Sequence, residues 1–184
     1  VRVIRSMQEL PGQNLFQYVG DEGDPHVVRS QDVNLYLRDI SGADFTSKHF
    51  RTWAGTIAAA NLLRAAELPD TKSAQARTLN GVIDQVAGRL GNTRAVCRSS
   101  YIHPRVVEDW LAGRLSADLD RLSTKAAPET RGLDEDEAVM LEWLREDGWV
   151  SSADAERVVK RFGHGDSSLH ALVRLGGAGL QRNG

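Results

Sequence analysis

The chain has 184 residues, 41% hydrophobic and 26% charged, with a net charge of −2, the ordinary balance of a folded globular domain with an appendage. That charge excludes the strongly basic domain that announces nucleic-acid binding by composition alone. No apolar run approaches the roughly 20 residues of a membrane helix, VRVIRSMQELPG at the start lacks an apolar signal core, and the lone Cys97 excludes an internal disulfide framework, which fits a cytoplasmic protein.

In chain order, Val1, Val3, Ile4, Met7 and Leu10 fall at roughly helical spacing, and Pro11-Gly12 ends that segment. Leu15–Val19 and His26–Val28 are short and apolar or aromatic around the polar turn Gly20–Pro25, which predicts a small β-hairpin. A helix follows from an N-cap at Ser30 through Val33, Tyr36, Leu37 and Ile40 to a stop at Gly42. The next begins at Thr46 or Ser47 and runs through Trp53, Ile57, Ala60 and Leu63 to about Glu67. Thr71–Arg89 is a further helix with Leu79, Val82, Ile83 and Val86 on one face and Gly91 as a left-handed cap.

Arg94–Tyr101 reads as a connecting segment, and Pro104 suits the first turn of a helix that turns Val106, Val107, Trp110 and Leu111 inward. Ser123–Arg131 is polar and reads as a linker, Leu133–Trp149 as an amphipathic helix, and Ala153–Phe162 as one more helix before a flexible glycine-rich tail. The predicted architecture is mainly α with a minor β-hairpin near the N-terminus. Residues 1–150 read as one domain, and residues 151–184 as an extra helix and tail.

Charge is unevenly spread. Arg89, Arg94, Arg98 and Arg105 form a stretch without acids, whereas Glu129–Asp147 is dominated by carboxylates. The first can face phosphate while the second faces water. Three polar residues stand among the core helices: Arg51, Asn92 and Tyr101. Taken singly, each also suits a plain role as a salt-bridged arginine, a turn asparagine after glycine and a core-edge tyrosine. His103 reads as a surface residue at a helix start. His164 and His170 have no partners at a metal spacing, so no metal and no cofactor is expected.

The strings LPGQNLFQY, SQDVNLYLRDISGADFTSKHFRTWAGT and LGNTRAVCRSSYIHP, in this order, resemble the bacterial, poxvirus-like branch of the type IB DNA topoisomerases. The resemblance is close from Val1 to about Leu115, looser through the helix after Leu133, and absent beyond Val150. It implies the tyrosine recombinase/type IB topoisomerase catalytic fold. It also implies a mechanism in which Tyr101 attacks a phosphodiester of double-stranded DNA, forms a 3′-phosphotyrosyl link, and relaxes supercoils without ATP.

By the same resemblance Arg51 matches the second catalytic arginine, with a fork suited to two phosphate oxygens. Asn92 stands at a position that is histidine in the poxvirus enzymes and asparagine in many bacterial ones. Lys48 and Arg98 are expected DNA contacts. Arg94, where the family usually has proline, is a third. The family's first catalytic arginine and its general-acid lysine lie upstream of the LPGQ segment, so the resemblance implies an N-terminally truncated chain, weakly active or inactive alone. A tyrosine recombinase or integrase, and a non-catalytic DNA-binding remnant, are the alternatives. A monomer associated with the nucleoid is expected.

Overall fold

A computed structural model describes residues 2–124 and 133–146. The expected helix at 153–162 and the tail lie outside the described residues, as does most of the expected linker. The elements are α1 (Arg2–Gln8), β1 (Gln17–Val19), β2 (Pro25–Val27), α2 (Ser30–Ser41), α3 (Ser47–Arg64), α4 (Lys72–Leu90), α5 (Arg94–Ser100), α6 (Pro104–Leu111), α7 (Leu115–Ser123) and α8 (Glu135–Glu146). Among the described residues the fold is mainly α with one two-stranded antiparallel sheet, as the sequence pattern predicts. Among the described residues no helix is long and apolar enough to cross a membrane.

The chain divides into two compact units, Val1–Ser47 and Lys48–Gly184. In the first, the hairpin pairs Gln17 with Val27, Tyr18 with His26 and Val19 with Pro25. Its turn closes with Gly20 N–H on the Asp24 carbonyl at 3.0 Å and Gly23 at a φ of 86°. The Tyr18 and His26 rings stack with centroids 5.4 Å apart. The buried Gln17 amide donates to the Leu10 and Pro11 carbonyls, both at 3.3 Å, and so ties the chain after α1 to β1. Helix α2 starts one residue earlier than the predicted cap requires. Ser30 is its first helical residue, and Asp32 accepts the Arg29 N–H at 2.7 Å instead.

The second unit holds the hydrophobic core. It gathers Trp53, Ala59, Ala60 and Leu63 of α3, Leu79, Val82, Ile83 and Val86 of α4, Val106 and Trp110 of α6, Leu115, Leu119 and Leu122 of α7, and Met140 and Trp143 of α8. Helix α3 carries small residues at many positions, which lets neighbours approach it from more than one side. On one side Trp53 donates its indole N–H to Glu137 of α8 at 3.2 Å and Asn61 donates to Asp136 at 2.6 Å. Farther along, Arg64 reaches Asp120 at 2.7 Å and Ser123 at 2.8 Å on α7.

Three local readings change. Arg94–Ser100 is helix α5 rather than a connection; Thr93 caps it by accepting the Val96 N–H at 3.3 Å, and a helix of 7 residues is too short to show a period. Helix α7 falls where no element was predicted, although Leu115, Leu119 and Leu122, all buried, are spaced as one helical face. In α6 the expected inward Leu111 is 43% exposed, while Asp109 is buried. Helix α8 begins at Glu135, two residues later than expected, and its expected end lies outside the described residues. Its start is fixed by reciprocal bonds: Glu137 N–H to the Asp134 carboxylate at 2.8 Å, and Asp134 N–H to the Glu137 carboxylate at 3.2 Å.

Candidate active site

Helix α4 ends in a left-handed Gly91, at φ 64°, and the Asn92 N–H returns to the Ala87 carbonyl at 2.9 Å. This closure leaves the Leu90 carbonyl outside the helical ladder. Two side chains converge on it. Arg51, in the second turn of α3, donates an N–H of its guanidinium, and Asn92 donates its amide at 3.3 Å. The Arg51 guanidinium carbon also lies 5.1 Å from the centre of the Tyr101 ring, within cation–π range. Residues separated by up to fifty positions therefore share one cluster.

Tyr101 follows α5 directly and caps it, its N–H on the Cys97 carbonyl at 3.0 Å. Cys97 is fully buried, and burial pushes its thiol up, with Arg51 opposing in part. The segment from Ser100 to His103 lies along α3. Thr52 shares its hydroxyl between the Lys48 carbonyl at 3.0 Å and the Ser100 carbonyl at 3.2 Å. Thr56 accepts the His103 N–H at 3.1 Å. Between them Gly55 faces the Tyr101 main chain, so that a Cβ there would lie 3.3 Å from the Tyr101 carbonyl carbon and collide with its oxygen. None of Thr52, Gly55 or Thr56 stands out as reactive in the sequence; their signal is the i, i+3, i+4 spacing one step after Arg51.

His103 differs from the expected surface residue: it is half-buried and caps α6 by accepting the Arg105 N–H on Nδ1 at 3.3 Å. Burial, and then the nearby Arg105 charge, pull its imidazole down from 6.5 to about 4. Between those values the folded chain binds fewer protons than the unfolded one, so acid favours unfolding. The gap from 6.5 to about 4 amounts to about 3 kcal/mol, fully present above pH 6.5 and lost as pH falls toward 4. Urea unfolding across that window should show the loss, and His103→Asn, which can cap without titrating, should remove most of it. An equally steep acid dependence in the variant would rule His103 out as the source.

The expected DNA contacts separate. Lys48, at the start of α3, and Arg98, on α5, are exposed. Arg94 is instead held by Asp84 of α4, its Nε on the carboxylate at 2.6 Å; the same bond holds the Asp84 carboxyl below its usual range. On α8, Glu137 engages Trp53, Asp136 engages Asn61, Glu142 engages Arg145 and Glu146 engages Arg121. None of these partners belongs to the Arg51–Asn92–Tyr101 cluster, and Trp53 stands about 200° round α3 from Arg51. Glu129 and Asp147, at the ends of the acidic stretch, lie outside the described residues. Among the described residues no group of His, Cys, Asp or Glu could hold a metal ion.

Comparison with known proteins bears on this cluster. A DNA topoisomerase 1B of Acanthamoeba polyphaga mimivirus is 26% identical over 106 residues, covering 54% of this chain and 32% of the relative. The chain thus matches about a third of that protein's length. Residues 2–123, which include Arg51, Asn92 and Tyr101, match the family described as eukaryotic DNA topoisomerase I, catalytic core. The chain belongs to that DNA topoisomerase I catalytic-core family.

Proposed function

We propose that this chain carries the strand-cleaving face of a type IB topoisomerase of the bacterial, poxvirus-like branch, an isomerase acting on double-stranded DNA with Tyr101 as nucleophile. The observation that carries the reading is the meeting of Arg51 and Asn92 at the Leu90 carbonyl beside the Tyr101 ring. In this mechanism the Tyr101 oxygen forms a bond to phosphorus as the bond from phosphorus to the 5′-oxygen breaks. The phenolic proton passes to solvent water, and the departing 5′-oxygen takes a proton from solvent water. The free strand rotates, then its 5′-hydroxyl reverses the exchange. The phosphodiester energy is kept in the tyrosyl ester, so no ATP is consumed.

Negative charge grows on the non-bridging oxygens during this exchange, and fixed donors must meet it. Arg51 has five N–H donors and Asn92 two, so both retain donors for phosphate while bound to Leu90. Lys48 and Arg98, both exposed, serve as contacts to the DNA backbone. The chain acts as a monomer in the bacterial cytoplasm, on the nucleoid.

The test is covalent capture. A duplex whose cleaved strand loses a short 5′-hydroxyl fragment traps the tyrosyl ester, and peptide mass analysis locates it. A DNA 3′-phosphate on Tyr101, absent in Tyr101→Phe, is expected. An adduct on another residue, or one through a DNA 5′-phosphate, would overturn the assignment. DNA binding without any adduct would make the chain a binding remnant.

A further inference from the structure

We propose that the Thr52–Gly55–Thr56 edge of α3 is a seat that positions Tyr101, and that this seat, rather than the tyrosine's own helix, sets the reach of its hydroxyl. The proposal rests on Tyr101 being the nucleophile. Thr52 and Thr56 bind the main chain on either side of Tyr101, at the Ser100 carbonyl and the His103 N–H. Gly55 fills the interval, and its missing side chain lets the Tyr101 carbonyl approach closer than any Cβ permits. Tyr101 lies just past the last residue of α5, a helix of only 7 residues that packs on α4, whereas the side-chain hydrogen bonds to the main chain on either side of it come from α3. Cys97 and Ile102, both buried, hold the flanks against the same core.

Helix α3 also carries Arg51, the residue immediately before Thr52. One rigid helix thereby places the charge-bearing donor and the backbone of the nucleophile in a common register. A tyrosine has two side-chain torsions, so once its backbone is fixed the hydroxyl sweeps a small arc. A displacement of about 1 Å at the reacting centre costs on the order of 10²-fold in rate. Adding one methyl group at Gly55 forces a displacement of that order.

The experiment uses the 184-residue chain labelled with 3-fluorotyrosine, with the Tyr101 resonance assigned through Tyr101→Phe. Gly55→Ala, Thr52→Val with Thr56→Val, and Thr52→Ser with Thr56→Ser are compared with the unsubstituted chain. Fluorine NMR reports the Tyr101 environment, amide hydrogen exchange reports the 100–103 segment, and covalent capture is timed at saturating duplex. Gly55→Ala is expected to move the Tyr101 resonance while leaving Tyr18 and Tyr36 in place, and to slow capture by about 10²-fold. DNA affinity should stay within about twofold, because no DNA-facing donor changes. The double valine variant should lose about tenfold, and the double serine variant should recover it, since the hydroxyl is what binds.

An unmoved Tyr101 resonance in Gly55→Ala overturns the seat, as does a loss carried wholly by weaker DNA affinity, or serine variants no better than valine. If Gly55→Ala does not fold, the valine and serine pairs decide. If the unsubstituted chain forms no adduct, the enzyme reading fails by itself, and the fluorine shift and exchange rates still decide whether α3 seats Tyr101.

Discussion

Arg51→Ala is expected to slow covalent capture of duplex DNA by about 10²–10³-fold, the usual cost of removing one preorganised donor to a developing oxyanion. The guanidinium is half-buried, oriented by the Leu90 carbonyl and stacked near the Tyr101 ring at 5.1 Å. It therefore needs little rearrangement when charge appears on phosphate. Arg51→Lys should recover only part of the loss. A single ammonium lacks the planar fork, and cannot hold the carbonyl and two phosphate oxygens in one geometry. Single-turnover capture at saturating DNA measures the effect. A loss below about fivefold in Arg51→Ala would remove this arginine from the transition state.

Asp109→Ala should cost about 3–5 kcal/mol of folding stability, the range for breaking a buried ion pair from one side. Asp109 is 4% exposed on α6, an unusual place for a carboxylate. One of its oxygens accepts Arg105 Nε at 3.1 Å, and the other is held by Arg114. Arg105 in turn lies 3.8 Å over the Trp143 ring and donates to the Trp143 carbonyl at 2.5 Å, which fastens α6 to α8. Without Asp109 the Arg105 guanidinium, held against the indole, loses a buried carboxylate partner. Urea titration should show a lower midpoint with an unchanged slope. Arg114→Ala should cost less than about 1 kcal/mol, because that side chain is mostly in water. A loss below about 1 kcal/mol in Asp109→Ala would mean that packing, and not the ion pair, joins these helices.

Most helices are legible in the sequence because their apolar residues recur over several turns, as in α4, where Leu79, Val82, Ile83 and Val86 are all buried. Thr71 and Gly91 bracket α4 as the local signals indicate. The same reasoning fails on short elements. Helix α5 buries only Cys97, and one apolar contact leaves no period to read. Asp109 is invisible for another reason: a charge in a sequence is ordinarily read as solvent-facing, and its burial depends on two arginines brought to it by packing. The convergence of Arg51 and Asn92 near Tyr101 was legible only through the resemblance of whole strings, since nothing in the spacing relates α3 to the end of α4. Thr52, Gly55 and Thr56 were present in those strings, but their role lies in main-chain contacts that residue chemistry does not advertise.

The acceptor that gathers Arg51 and Asn92 is a peptide oxygen, not a side chain. A neutral dipole holds a cation more loosely than a carboxylate does, so an arriving phosphate has an easier competitor at Arg51 than it has at Arg94, where Asp84 is already bound. Replacing Leu90 with alanine removes a side chain but keeps this oxygen in the chain. An alanine scan would pass over the group on which both donors depend. Its position answers instead to Gly91, whose φ of 64° turns the chain out of α4; a β-branched residue there would re-aim the carbonyl and loosen both donors together.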